Sequence, residues 1–154
     1  MNAYNQYQEN QVLSASPEQI LLMLYDGAIR FTRQAITGME NNNLSQTHRG
    51  IKNSMAIITE FSNSLNHEIG GRIAEDLAAL YDYMIRELLM ANLKMDKTKL
   101  QGVEKLLTDL RATWGEAVET NNMEKTLAKK LPAVPKLASG APAPNTYVHF
   151  SISG

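Results

Sequence analysis

Four long stretches of this chain repeat apolar residues at helical spacing, and only a few turn-forming residues part each stretch from the next. That pattern restricts the fold more than any other feature. The first stretch starts sharply. Ser16 sits where an N-cap is needed, and Pro17 follows at the first helical position, where its missing N–H costs nothing. Gln19 completes a capping box. Ile20, Leu24, Ala28, Phe31 and Ala35 then mark an apolar stripe. Glu40 to Asn43, with three consecutive asparagines, closes the segment.

The second stretch is predicted from about Ser45 to Leu65, with Ile51, Met55, Ile58 and Leu65 on its stripe and Ile57 and Phe61 beside it. Asn66 to Gly71 reads as a turn, punctuated by Gly70-Gly71. The third runs from about Arg72 to Leu93. Its main stripe is Ile73, Leu77, Leu80, Met84 and Leu88, and a second stripe is Tyr81, Ile85 and Leu89. Asp96 is a suitable N-cap for the fourth, about Lys97 to Asn121, which carries Val103, Leu107, Leu110, Trp114 and Val118. A weaker continuation to Lys130 would place Lys125, Lys129 and Lys130 at a helix C-terminus, where positive charge is favoured.

Helices of about 20 to 25 residues are roughly 30 to 37 Å long. Short links between helices of similar length make neighbours antiparallel. The expected fold is therefore all-α: an antiparallel, up-down-up-down four-helix bundle over residues 16–130. A flexible N-terminal segment (1–15) precedes it and a Pro-rich, flexible tail (131–154) comes after it. Four of the five prolines (Pro132, Pro135, Pro142 and Pro144) fall between Leu131 and Asn145. Beyond them Val148, Phe150 and Ile152 alternate with Tyr147, His149 and Ser151, a strand-like pattern with no sheet to join.

Charge and chemistry narrow the function classes. The chain has 154 residues, enough for one sizeable core. Fifteen Lys and Arg against 16 Asp and Glu leave no basic surplus for nucleic acid. Without cysteine there are no disulfides, thiol catalysis or Cys-based metal sites. The residues from Met1 to Asn10 are polar and lack a signal peptide's h-region. No apolar run approaches the roughly 20 residues of a membrane span. The expectation is a cytoplasmic protein with no membrane insertion.

None of the three histidines (His48, His67 and His149) follows a glutamate by three positions, so the Glu-x-x-His motif of di-iron bundles is missing. His67-Glu68 stands alone, and no Walker A, Gly-x-Gly-x-x-Gly or nucleophile-elbow pattern occurs. These readings predict a protein that is not an enzyme and uses no metal or other cofactor.

Apolar surface points instead to a binding role. Leu21, Leu22, Met23, Leu24 and Tyr25 cover nearly the whole circumference of the first helix. The third helix carries Tyr81, Tyr83, Met84, Ile85, Leu88, Leu89 and Met90. A helix apolar all round is buried on several sides or presents a face to a partner. The eight methionines suit a surface that accommodates varied apolar partners, though many simply fill core gaps. Gly27, inside the first helix, implies close approach of a neighbouring helix or a bound backbone.

The run Ser14-Ala15-Ser16-Pro17-Glu18-Gln19-Ile20-Leu21-Leu22-Met23-Leu24-Tyr25-Asp26-Gly27-Ala28-Ile29-Arg30-Phe31 closely resembles the N-terminal signature of the flagellin-specific flagellar export chaperone family. Three further features agree in order and spacing: Tyr4 followed by Gln11-Val12-Leu13, Gly70-Gly71 leading to Leu80-Tyr81-Asp82-Tyr83-Met84, and Leu110-Arg111 before Trp114. The resemblance spans roughly Tyr4 to Asn121. It implies a non-enzymatic chaperone of the type III export pathway. Such a chaperone binds the disordered C-terminal region of flagellin, prevents premature polymerisation and hands the client to the export gate or other export components.

On that reading Tyr25, Ile29, Ile58, Tyr81, Met84 and Trp114 are the candidate partner-binding residues. Tyr4, Tyr7, Val12 and Leu13 are candidates for folding back over an empty groove, with the C-terminal tail a second candidate. Competing readings are an adaptor for another secretion client and a homodimeric structural bundle.

Overall fold

The computed structural model describes residues 15–135. Within them the chain is all-helical: α1 (Pro17–Glu40), α2 (Leu44–Asn63), α3 (His67–Lys94), α4 (Lys97–Thr120) and a short α5 (Met123–Lys130). The strand-like stretch Tyr147 to Ile152 and the segment Met1 to Ser14 lie outside the described residues.

The helix boundaries result from local chemistry. The Ser16 hydroxyl accepts the Gln19 N–H at 3.2 Å, and the Gln19 side chain accepts the Ser16 N–H at 3.2 Å. This is the reciprocal box expected from sequence. Asn43, Asn66 and Asp96 cap α2, α3 and α4 through their side-chain oxygens. One boundary differs from expectation. Asn66 starts a helical turn, so His67–Gly70 is helical rather than an open loop. The break comes at Gly71, whose φ of 52° and ψ of −127° suit only glycine. The fourth helix ends where expected, with Asn121 in the left-handed region, and the weaker continuation to Lys130 is a separate helix, α5.

Residues of all four long helices meet in one apolar core, which includes Tyr25, Ala28, Ile51, Ile58, Phe61, Leu80, Met84, Leu88, Leu107 and Leu110. Packing goes in chain order round a ring: α1 on α2, α2 on α3, α3 on α4, and α4 back on α1. Contacts that advance along one helix retreat along its neighbour. Tyr25 meets Phe61 while Thr32 meets Ser54. Likewise Asp26 meets Arg111 while Arg33 meets Glu104.

The inward face of α1 is not the one marked by Ile20, Leu24 and Phe31. Leu24 is 38% exposed, and Ile20 and Phe31 are half-buried. Tyr25, Ala28, Ile29, Thr32, Ala35 and Ile36 point inward instead. Five consecutive apolar residues from Leu21 leave the phase of the helix undetermined by periodicity. Small residues decide it, because α2 approaches most closely where α1 has the least side chain. A Cβ on Gly50 would lie 2.6 Å from the Phe31 carbonyl oxygen and 2.7 Å from the Ala35 nitrogen, and one on Gly38 would lie 2.7 Å from the Thr47 nitrogen. Gly27 is buried too, but its Cβ would make ordinary contact, 3.4 Å from Ile57 Cδ1. Thr32 and Ser54 join hydroxyls at 2.9 Å in this interface, and Thr32 also donates to the Ala28 carbonyl at 2.8 Å, so the buried polar atoms are paired.

Gly50→Ala is therefore expected to force α1 and α2 apart and lower stability by about 1–3 kcal/mol. Gly27→Ala is expected to be neutral or to stabilise by up to about 1 kcal/mol. Denaturant midpoints of the two variants check this; equal loss at both positions would contradict it.

Candidate functional site

One hydroxyl ties three helices together. Tyr25 of α1 is fully buried, and its Oη lies 2.8 Å from the Tyr81 Oη of α3 and accepts the Trp114 Nε1–H of α4 at 3.0 Å. Phe61 of α2 stacks on Tyr25 with ring centroids 4.3 Å apart and lies against Tyr81 at 5.6 Å. Each long helix thus supplies one aromatic ring to a single junction. Burial pushes the Tyr25 phenol well above its ordinary range, reinforced by the adjacent Tyr81 hydroxyl and opposed by the Trp114 hydrogen bond. Burial also pushes Tyr81 up to about 12. Both phenols therefore stay protonated and act as hydrogen-bonding groups rather than acids or bases.

Of the six expected partner-binding residues, Tyr25, Ile29, Ile58, Tyr81 and Met84 are interior. Trp114 is half-buried at the edge of the core. Ile29 also lines an open groove between α1 and α4, with a cavity of about 600 Å³ bordered by Asp26, Arg30, Arg33, Thr108 and Arg111. Arg111 grips Asp26 with contacts of 3.0 and 3.4 Å, and Arg33 pairs with Glu104. These ion pairs set opposite charges along the groove rim. Tyr4, Tyr7, Val12 and Leu13 lie outside the described residues.

The exposed apolar residues are elsewhere. Leu89 is 50% exposed and Leu93 77%. With half-buried Ile85 they form a stripe at four-residue spacing along α3, turned away from the core face of Met84, Leu88 and Ala91. The expected second stripe of Tyr81, Ile85 and Leu89 therefore climbs from core to surface. Leu44, Met95 and Leu24 are also exposed, and Ile69 projects from the turn before Gly71. Sequence reasoning missed Leu93 and Leu44, which belong to no core stripe; that isolation was the available signal. Tyr83, expected among the surplus apolar residues, is buried and donates to Glu87 at 3.4 Å. Glu87 also pairs with Lys99 at 3.3 Å. Among the described residues no group of three His, Asp or Glu side chains is placed to hold a metal ion. No described helix is long and apolar enough to cross a membrane.

The four long helices thus meet at an aromatic junction and leave several apolar side chains outside. The model of the flagellar protein FliS family matches residues 1–121. This chain belongs to the FliS family. The flagellar secretion chaperone FliS of Bacillus subtilis is 35% identical over 124 residues, covering 80% of this chain and 92% of that protein. The Salmonella typhimurium protein of the same name is 38% identical over 107 residues (69% and 79%). The Escherichia coli one is 37% identical over 113 residues (71% and 82%). These FliS relatives are named as chaperones, not enzymes, and the family match takes in all four long helices but stops before α5.

The junction gives two measurable expectations. Tyr25→Phe leaves the Trp114 N–H and the Tyr81 hydroxyl without their partner, and is expected to cost about 1–3 kcal/mol in a denaturation experiment. The raised phenol values set a pH window. Unfolded tyrosine releases its proton near 10.0, whereas folded Tyr81 holds it to about 12. Above pH 10 the unfolded state binds fewer protons than the folded state, so stability must fall as pH rises. Stability from the junction is thus intact below pH 10 and lost between pH 10 and about 12. Tyrosinate absorbance recorded together with helical circular dichroism tests this: two tyrosines should ionise only as the helices melt.

Proposed function

We propose that this chain is a cytosolic chaperone that binds the disordered C-terminal region of flagellin, prevents its premature polymerisation and delivers it to the flagellar type III export apparatus. It is read as a non-enzyme acting without cofactor, as an antiparallel up-down-up-down four-helix bundle over residues 16–130, flanked by segments 1–15 and 131–154. The observation that carries the reading is the exposed pair Leu89 and Leu93, continued by half-buried Ile85, on a protein of the FliS family. An amphipathic client helix buries such a stripe in the helix-in-groove mode. A client that folds on binding covers much surface at modest affinity, which suits later release to the export gate.

The six candidate partner-binding residues divide between two roles. Tyr25, Ile58, Tyr81 and Met84 act from inside, by setting the spacing of the helices that form the grooves. Ile29 and Trp114 border the α1/α4 side, where a client segment can reach them. Tyr4, Tyr7, Val12 and Leu13 are proposed to cover apolar surface until the client arrives. A homodimer hiding the same stripe is the competing occupant.

Calorimetric titration with a peptide of the flagellin C-terminal region is expected to give saturable binding. Leu89→Asp with Leu93→Asp should weaken it at least about ten-fold, through loss of two apolar contacts, while leaving the melting temperature nearly unchanged. Absence of heat with the unaltered chain would refute the reading. Deleting residues 1–11 should raise binding of a hydrophobic dye; an unchanged signal would refute the covering role.

A further inference from the structure

The match to the family ends at residue 121, where α4 terminates with Asn121 in the left-handed region. The segment beyond it is unlike the four long helices. Helix α5 has eight residues and no side-chain hydrogen bond at its N-cap, whereas α1 to α4 are each capped by a side chain. Isolated helices shorter than about 12 residues are marginal in water, so α5 is helical because it is docked.

Its attachment combines apolar and polar contacts: the Thr113 hydroxyl donates to the Lys130 carbonyl at 3.5 Å, and the Thr120 and Thr126 hydroxyls lie 3.5 Å apart. Leu127 is buried, and Leu131 and Val134 pack against the core. Lys130 reaches both carboxylate oxygens of Glu116 at 2.7 and 2.8 Å. The seat is only partly filled: a cavity of about 300 Å³ remains between Ile73, Asp76 and Ala79 of α3 and Leu127, Leu131 and Val134.

Leu127 anchors helix α5, and Leu131 and Val134 follow in the non-helical chain beyond its end at Lys130, so a helix and the segment after it both place apolar side chains in this seat. We infer that residues 123–135 are a tethered occupant of the groove between α3 and α4, standing where an apolar client segment binds, and that the client displaces them. This rests on the chaperone reading above. The design fits displacement: a short uncapped helix, a seat left partly empty, one exposed ion pair and two long hydroxyl contacts cost little to undo. Such an occupant shields apolar surface in the free protein and lowers client affinity by the fraction of time the groove is closed.

The test uses the full chain, a synthetic peptide of the flagellin C-terminal region, and variants that loosen α5 without touching the shared core. Leu127→Ala is expected to tighten peptide binding about five-fold or more. Lys130→Glu, which sets two carboxylates against each other, should tighten it about two- to five-fold, within the range of an exposed pair. The exchanged pair Glu116→Lys with Lys130→Glu should return the affinity to its starting value. Hydrogen exchange supplies the second readout: peptide binding should accelerate exchange in 123–130.

Unchanged or weaker affinity in both loosened variants overturns the inference while leaving the chaperone reading standing, as does unaltered exchange in α5 when peptide binds. A peptide that binds none of the proteins overturns the chaperone reading and this inference with it.

Discussion

The hydroxyl of Tyr25 is the point on which the arrangement of the four long helices depends. It is fully buried, it meets Tyr81 and Trp114, and its ring stacks on Phe61. An apolar core alone leaves helices free to rotate and slide, because one leucine replaces another at little cost. A buried hydroxyl with two directional partners does not, since any shift leaves polar atoms unpaired in a low-dielectric interior. The junction therefore fixes α1, α3 and α4 relative to one another, while the stacked Phe61 brings in α2.

The second constraint lies further along the same pair of helices. Gly38 and Gly50 bring α1 and α2 backbones close enough that no Cβ fits without displacement. Thr32 and Ser54 occupy the space between with paired hydroxyls. Small residues draw the helices together at one end and aromatic rings hold them at the other. These two requirements decide which face of α1 turns inward, and so leave Leu24 outside.

Exposed apolar surface is what the core does not use. Once Tyr81, Met84 and Leu88 are committed to the interior, Leu89 and Leu93 must face outward on α3. An apolar stripe of that kind is costly to leave open to water, and the proposed client would cover it. The segment after residue 121 adds a feature outside the shared match: short and without a side-chain cap, it contrasts with the capped helices it leans on.

Much of this was legible from the residues in order. Ser16, Pro17 and Gln19 specify where α1 begins, because capping is a local hydrogen-bonding event; Asp96 does the same for α4. The main stripe of α3 was equally readable, since Leu77, Leu80, Met84 and Leu88 keep the helical period and all are buried. The number of long helices, their approximate lengths and family membership all come from such short-range patterns. The candidate site was not legible in the same way. Tyr25 and Tyr81 read as candidate partner-binding residues in the linear chain, and only packing places them inside, where each hydroxyl has a buried partner on another helix. The phase of α1, the tight contact at Gly50 rather than Gly27, and the exposure of Leu93 depend on neighbours distant in the chain. The sequence by itself determined where α1 and α4 start, through contacts of a few residues. Only tertiary structure decided which apolar side chains remain exposed, because burial is a property of the assembled helices and not of any one of them.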